Sequence, residues 1–397
     1  MLSLSNLFCG HTGGNEDLRY GHRARTATTA SQSHTTCEVH KTPKPVTVWA
    51  VTKACNLRCV HCYASASTQP AQGELSFAEG IELLEDLAEF GVPAVLFSGG
   101  EPLARADTVQ LIQHARALGL SCTLSTNGLL IDDAMADLLA HVGLKYVGIS
   151  IDGSQDRHDR LRGQRGAFDA SVDAIRRLRA RGIRVGVRFT VHAKNLHDLD
   201  SVIDLCHRER IDRLCVYHLA YAGRATNLTR IDLTHDQTRR MMDDLIERTR
   251  QLHSSGFPLE VLTVANHADA AYVQLYAERN LPDRAPHISD MLSRTGGNRS
   301  GQNIASIDSL GNVHYDQFSW HYNCGNVRES PFSRIWTDAT DPRLAILRNR
   351  SSQLPTRCQS CKFLGVCNGN LRTRAETATG DWLGVDPGCY LKDSEIH

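Results

Sequence analysis

The amino-acid sequence predicts an α/β fold, a (β/α)6 partial barrel of parallel strands followed by a small C-terminal α+β extension. Two observations carry most of that prediction. Between residues 45 and 254, six short apolar runs alternate with six helix-length amphipathic stretches, the pattern of consecutive βα units around one parallel sheet. Beyond residue 303 the alternation stops, and a hairpin signal is followed by a group of cysteines. At 397 residues the chain is long enough for a barrel-sized core with a smaller appended unit.

Residues 1–44 are polar, rich in Gly, Thr, Ser, Arg and His, and follow neither period 2 nor period 3.6. They read as a flexible N-terminal extension in which Cys9 and Cys37 are incidental. The barrel is expected over 45–260. Its first strand is Val46-Thr47-Val48-Trp49-Ala50-Val51, and Ser76-Phe77-Ala78-Glu79 is a capping box opening a helix through Phe90, with Ile81, Leu84 and Leu87 inward. The second strand is Ala94–Phe97, with a helix near 107–118. The third runs from Ser121 to Thr126, with a helix from Asp132 to His141, and the fourth from Tyr146 to Ile151, with a helix from Phe168 to Arg181. The fifth runs from Ile183 to Val191, with a helix near 196–208, and the sixth from Leu214 to Tyr217, with a helix near 235–254. In a parallel barrel, ligands gather at the C-terminal ends of such strands.

Residues 261–302 are assigned only as a linker close to the substrate. Within them Gly296–Gly301 is either a plain connector or a nest of backbone N–H groups for an anion. Residues 303–397 form the second unit. Ile304–Asp308 and Val313–Tyr315 flank Ser309-Leu310-Gly311-Asn312, a hairpin. Cys358, Cys361, Cys367 and Cys389 follow, enough thiols to close a [4Fe–4S] cluster or, by ligand count, a structural zinc. Cys324 stands outside that set, and Cys122, Cys206 and Cys215 read as core packing.

Lysine and arginine balance aspartate and glutamate to a formal net charge of zero, so no nucleic-acid or anionic-membrane surface is indicated. No apolar run has bilayer length, and the first residues lack a basic segment followed by an apolar one. Thirteen cysteines without a secretion signal point to a cytoplasmic protein that keeps its thiols reduced for metals.

The chemistry centres on Cys55-Asn56-Leu57-Arg58-Cys59-Val60-His61-Cys62-Tyr63, directly after the first strand. Three thiols spaced C-x3-C-x2-C can hold three irons of a [4Fe–4S] cube and leave the fourth iron open to a chelating small molecule. A closed zinc site asks for four ligands, usually in two close pairs; a zinc knuckle or three unrelated cysteines is the plain alternative. Spacing, preceding strand and early position resemble the radical S-adenosylmethionine (radical SAM) superfamily. The resemblance implies a partial TIM barrel, a [4Fe–4S] cluster on Cys55, Cys59 and Cys62, and SAM bound at the open iron. It further implies that Gly99, Gly100 and Glu101 of the GGEP segment meet the methionyl ammonium. Ser125 and Asn127, then Ser150 and Asp152, and finally Arg188 would lie near ribose and carboxylate. For Asn127 and Asp152, helix capping is the simpler alternative. His61 stands where the superfamily often has an aromatic residue beside the adenine.

The C-terminal cysteines are similar to the SPASM/Twitch type of auxiliary-cluster extension, which favours a second [4Fe–4S] cluster on Cys358, Cys361, Cys367 and Cys389. Thr295–Gly301, Gly311–His314, Asp316–Phe318, Gly325–Glu329 and Cys367–Arg372 together resemble the NirJ family of haem d1 biosynthesis; Tyr315, Cys324 and the N-terminal extension depart from it. That resemblance implies removal of two propionates from the iron tetrapyrrole 12,18-didecarboxysiroheme, with a flavodoxin- or ferredoxin-type electron donor. For such a substrate Arg299, Arg328 and Arg372 are candidate carboxylate partners, and His314 and His321 candidate catalytic groups, as iron ligand or proton donor. Each also reads as an ordinary surface or hairpin residue. The competing readings are a haem-pathway propionate decarboxylase, a peptide-modifying maturase, and a non-catalytic metal scaffold.

Overall fold

In the computed structural model, which describes residues 1–11, 13, 44–338 and 340–397, the six apolar runs are parallel neighbours in one sheet. The strands in chain order are β1 (Leu2–Ser3), β2 (Val46–Ala50), β3 (Val95–Ser98), β4 (Cys122–Thr126), β5 (Tyr146–Ser150), β6 (Arg184–Val191), β7 (Arg213–His218), β8 (Glu260–Val264), β9 (Ile304–Ile307) and β10 (Val313–His314). Across the sheet they lie β1-β8-β7-β6-β5-β4-β3-β2-β9-β10. The pairs from β2 to β8 are parallel, as is β2 with β9. Buried on both faces, these strands are near-continuously apolar; Trp49 of β2, fully buried, packs on Phe97 of β3 with ring centroids 5.8 Å apart.

The helices that cover the sheet are α1 (Leu4–Cys9), α2 (Phe77–Phe90), α3 (Thr108–Ala117), α4 (Asp133–His141), α5 (Gln155–Arg162), α6 (Ala167–Ala180), α7 (Leu199–Arg208), α8 (His235–Ser254), α9 (Ala268–Asn280) and α10 (Ala285–Thr295). The capping box at α2 is formed: Glu79 N–H donates to Ser76 Oγ at 3.3 Å and Ser76 N–H to Glu79 Oε2 at 2.7 Å. The buried stripe of α2 is Gly80, Leu83, Leu84 and Leu87, with Ile81 half-buried at its border. No helix among the described residues is long and apolar enough to cross a membrane.

Three expectations are corrected. Residues 2–10 are not a flexible extension. β1 pairs antiparallel with β8, with Leu2 opposite Thr263, and Leu4, Leu7 and Phe8 of α1 are buried, each contributing roughly 2 kcal/mol of apolar burial. Arg284 closes α1 by donating to Phe8 O at 2.6 Å and Leu7 O at 2.9 Å. The apolar run was too short to show periodicity inside a polar stretch. Most of the remaining extension, Cys37 included, lies outside the described residues.

Residues 261–302 are not a linker either: β8 runs across the boundary set at 260, and α9 and α10 follow it as a seventh βα unit. The boundary at 303 also fails to separate two bodies. β9 pairs with β2, Val46 opposite Ile304 and Trp49 opposite Ile307, so the hairpin of the second unit continues the barrel sheet.

Candidate functional site

The loop after β2 carries Cys55, Cys59 and Cys62, and glycines let it dock against the loop after β3. Gly100 N–H donates to Thr52 O and Glu101 N–H to Ala54 O, both at 2.8 Å. Gly99, at φ +143°, would place a Cβ 2.4 Å from Thr52 O, and Gly100 one 2.4 Å from Ala54 O, distances no side chain tolerates. The close approach that requires these glycines is therefore to the cysteine loop itself. Glu101 is displaced from its expected place in the same way. It is fully buried, does not line the cleft, and accepts from Thr126 Oγ1 at 2.7 Å, Asn127 N–H at 2.8 Å and Leu103 N–H at 3.1 Å. Burial pushes its carboxyl up against those hydrogen bonds. Its oxygens are occupied, so it buttresses the β4 end instead of facing a ligand.

Asn127, at that end, donates from Nδ2 to Asn56 Oδ1 at 2.8 Å and so ties the third predicted strand end to the cysteine loop. Ser125, Asn127, Ser150 and Arg188 all line the cleft. Arg188 donates to Ser125 Oγ, lies 5.8 Å from the Tyr217 ring and keeps Nε unpartnered. A Cβ on Gly148 would lie 2.6 Å from Arg188 Nε, so this glycine makes room for the guanidinium.

Asp152 does not reach the cleft. It is fully buried, ion-paired to Arg162 and 3.2 Å from His61 Nε2, and accepts from Thr190 N–H at 3.0 Å. Burial opposes its charge, but Arg162 and then His61 outweigh it and hold the carboxyl far below the usual range. Asp152 is no helix cap; it orients His61, which lines the cleft with Nδ1 unpartnered. Arg162, which the sequence reading missed, also donates from Nη1 to Cys59 Sγ at 3.6 Å.

The lining groups among these surround a cleft at the strand ends that Gln317 and Phe318 of the second unit also line. The donor set suits an iron–sulfur cluster. Cys55 and Cys59 are each 8% exposed, Cys62 half-buried, all three on one wall. Burial pushes the Cys55 thiol up to about 12 and raises that of Cys59; a metal centre that takes them as thiolates offsets that cost.

Cys358, Cys361, Cys367 and Cys389 are each partly exposed and lie near one another in the second unit. Arg357 Nη1 donates to Cys389 Sγ at 3.3 Å. Gly297 N-terminal to Asn298 packs on the Cys367 backbone, and Asn298 N–H donates to Cys367 O at 3.1 Å, so Gly296–Gly301 is a docking loop for this segment. Cys324 is apart from the set, beside Tyr315 in the hydrophobic core.

The expected substrate residues are elsewhere. His314 is 1% exposed, with Nδ1 2.6 Å from Tyr322 O and Nε2 3.3 Å from the Asp308 carboxylate. His321 is half-exposed and bound to Glu376 at 2.8 Å. Arg328 grips Glu79 on α2, Arg299 donates to Thr295 O, and Arg372 donates to Trp382 O, Gly384 O and Gly369 O. None of the five lines the cleft; their residue types matched the task, but their strands and loops point away. The cleft histidines are His61 and His218.

Residues 49–206 match the Radical SAM superfamily. Over its whole length the chain is 45% identical to the Fe-coproporphyrin III synthase of Methanosarcina barkeri, covering 99% of that protein. Over 89% of its length it is 43% identical to the pre-heme d1 synthase of Dinoroseobacter shibae, covering 88% of that one. The chain belongs to the radical SAM superfamily. Membership carries a [4Fe–4S] cluster and SAM, and it makes the protein an enzyme. The crystal structure of Streptococcus suis SuiB bound to S-adenosylmethionine superposes on 90% of this chain and 78% of its own, with TM-score 0.69 at 19% identity; that likeness confirms the partial barrel of the radical SAM fold.

Proposed function

We propose that this radical SAM enzyme removes peripheral side chains from an iron tetrapyrrole, acting in the cytoplasm in the synthesis of a haem-type cofactor. The observation that carries this reading is that relatives above 40% identity, aligned over most or all of the chain, make iron tetrapyrroles. The first specific reading is removal of two propionates from 12,18-didecarboxysiroheme, towards haem d1. The second is formation of Fe-coproporphyrin III, and alignment over the whole chain, residues 1–44 included, favours it.

Cys55, Cys59 and Cys62 would hold the cluster, which with SAM would supply the radical chemistry needed for a C–H bond too strong for acid–base catalysis. The chain's residues bind, orient and exclude water. Arg188 pairs with the SAM carboxylate as a charge-assisted fork. Gly99 and Gly100 offer backbone at the methionyl end, Ser125, Asn127 and Ser150 meet the ribose, and Glu101 and Asp152 stiffen the strand ends from behind. Phe318, Tyr63 and Tyr217 offer aromatic surface for a flat macrocycle. Cys358, Cys361, Cys367 and Cys389 hold a second [4Fe–4S] cluster. Supporting that choice, Cys358 and Cys361 lie close to Cys389, and Cys367 to Cys358 and Cys389, near enough for their charges to be felt by one another. A flavodoxin- or ferredoxin-type protein delivers the electron.

The test is an anaerobic incubation of reconstituted enzyme with SAM, a flavodoxin reducing system and 12,18-didecarboxysiroheme, read by mass spectrometry. Loss of propionates with 5′-deoxyadenosine supports the first reading, and appearance of Fe-coproporphyrin III the second. Deoxyadenosine with an unchanged tetrapyrrole overturns both.

A further inference from the structure

Among the groups on the cleft wall, His218 has an arrangement the SAM site does not use. It ends β7 and is 6% exposed. Its Nε2 lies 3.0 Å from Asp269 Oδ2, near the start of α9, and Nδ1 makes no hydrogen bond among the described residues. Asp269 is itself fixed: fully buried, it accepts from Tyr390 Oη at 2.8 Å on its other oxygen. The following segment is clamped as well, because the buried Arg374 donates to Leu219 O at 3.1 Å while bound to Asp386. A carboxylate on one ring nitrogen keeps the proton there and leaves the other as a lone pair of fixed direction, the arrangement by which proteins orient an imidazole toward a metal. The other cleft histidine, His61, is carried by the cysteine loop and held by Asp152.

We infer that His218 is the axial ligand of the substrate's iron, oriented by Asp269 as a positioning residue; this rests on the tetrapyrrole reading above. The Fe–N bond places the macrocycle by its centre and leaves its rim to meet the SAM site. Tyr390 follows Cys389 directly, so the imidazole is joined to the auxiliary cysteine segment through Asp269 and one tyrosine hydroxyl.

The experiment is anaerobic binding of ferric 12,18-didecarboxysiroheme, and separately of Fe-coproporphyrin III, to the reconstituted enzyme, followed by visible absorption and electron paramagnetic resonance. Wild type is expected to give a nitrogen-ligated spectrum that saturating imidazole, filling the opposite face, turns low-spin. His218→Ala is expected to bind with a spectrum lacking the histidine ligand that a low concentration of added imidazole returns to the wild-type form, and Asp269→Asn with a mixture. Iron–sulfur absorbance and SAM binding, unchanged, certify the folded variants. On the wild type alone, nitrogen-15 histidine labelling is expected to alter the hyperfine couplings of the substrate iron. If wild type binds the macrocycle but the label leaves the couplings untouched, or His218→Ala keeps the wild-type spectrum, the ligand assignment is overturned while the tetrapyrrole reading stands. If wild type binds neither macrocycle, the tetrapyrrole reading falls and this inference with it.

Discussion

The two cysteine groups are embedded in opposite ways. Cys55, Cys59 and Cys62 sit on a loop pressed between strand ends, and the charges behind them are already matched: Arg162 faces Asp152, which also faces His61. Cys358, Cys361, Cys367 and Cys389 sit on short helical turns, Thr356–Gln359 and Leu364–Cys367, and the segments beside them. The arginines near this second group are matched less completely. Arg357 reaches Asp393, whose side chain is 80% exposed. Arg350 and Arg372 are buried and donate only to neutral oxygens, and burial holds the Arg350 guanidinium down to about 9. Asp316 and Asp386 offset their charge only from a distance, and a buried cation without a direct partner is costly. The barrel loop keeps its shape by hydrogen bonds as well, from Arg224 to Cys59 O and Ala66 O and from Asn127 to Asn56, each at 2.8 Å.

That contrast can be broken by removing thiols. Cys59→Ala is expected to reduce SAM cleavage below detection. The double variant Cys358→Ala/Cys361→Ala is expected to lose about half of the iron yet still cleave SAM. Iron analysis and deoxyadenosine release check both. Equal loss of SAM cleavage in the two variants would mean that the second group is not independent of the first.

Next in size is the buried pair. Arg162→Met leaves Asp152 with only His61 beside it and is expected to cost about 3–5 kcal/mol of stability in denaturant unfolding. Gly100→Ala forces a Cβ towards Ala54 O and is expected to cost about 1–3 kcal/mol as an overpacked contact, with poorer cluster reconstitution than in wild type.

The smallest effect is in acid. Glu79 and Arg328 join α2 to the second unit, and the Arg328 hydrogen bond, ahead of those from Ser76, holds the Glu79 carboxyl at about 2. A depressed carboxylate contributes stability above its unfolded value near 4.3 and loses it as pH falls towards 2. With both side chains a third or more exposed, screening keeps the effect to a fraction of a kcal/mol. Thermal unfolding across that window is expected to show a slight acid loss that Arg328→Gln abolishes.

What could be read from sequence was what is local along the chain. The capping box at Ser76 and Glu79, the alternation of strands and helices, and the C-x3-C-x2-C loop are each written within a few residues. Glu101 and Asp152 were correctly placed at strand ends but not correctly aimed, because their partners, Asn127 and Arg162, come from other segments. His218 was missed because its meaning depends on Asp269, 51 positions away. His314 and His321 were overvalued for the converse reason: a histidine's type suggested a task, and Asp308, Tyr322 and Glu376 already occupied it.

The outermost strands of the sheet, β1 and β10, are two residues long, and β10 is further covered by the bonds of Val313 to Gly325 O and Cys324 N–H. An open parallel sheet normally leaves a row of unpaired amides at each rim, a template on which other chains can stack. Here the N-terminal residues and the hairpin shorten that row at both rims to almost nothing. Trimming residues 1–10 would therefore expose the full length of β8 and is expected to convert a well-behaved protein into one that self-associates on expression.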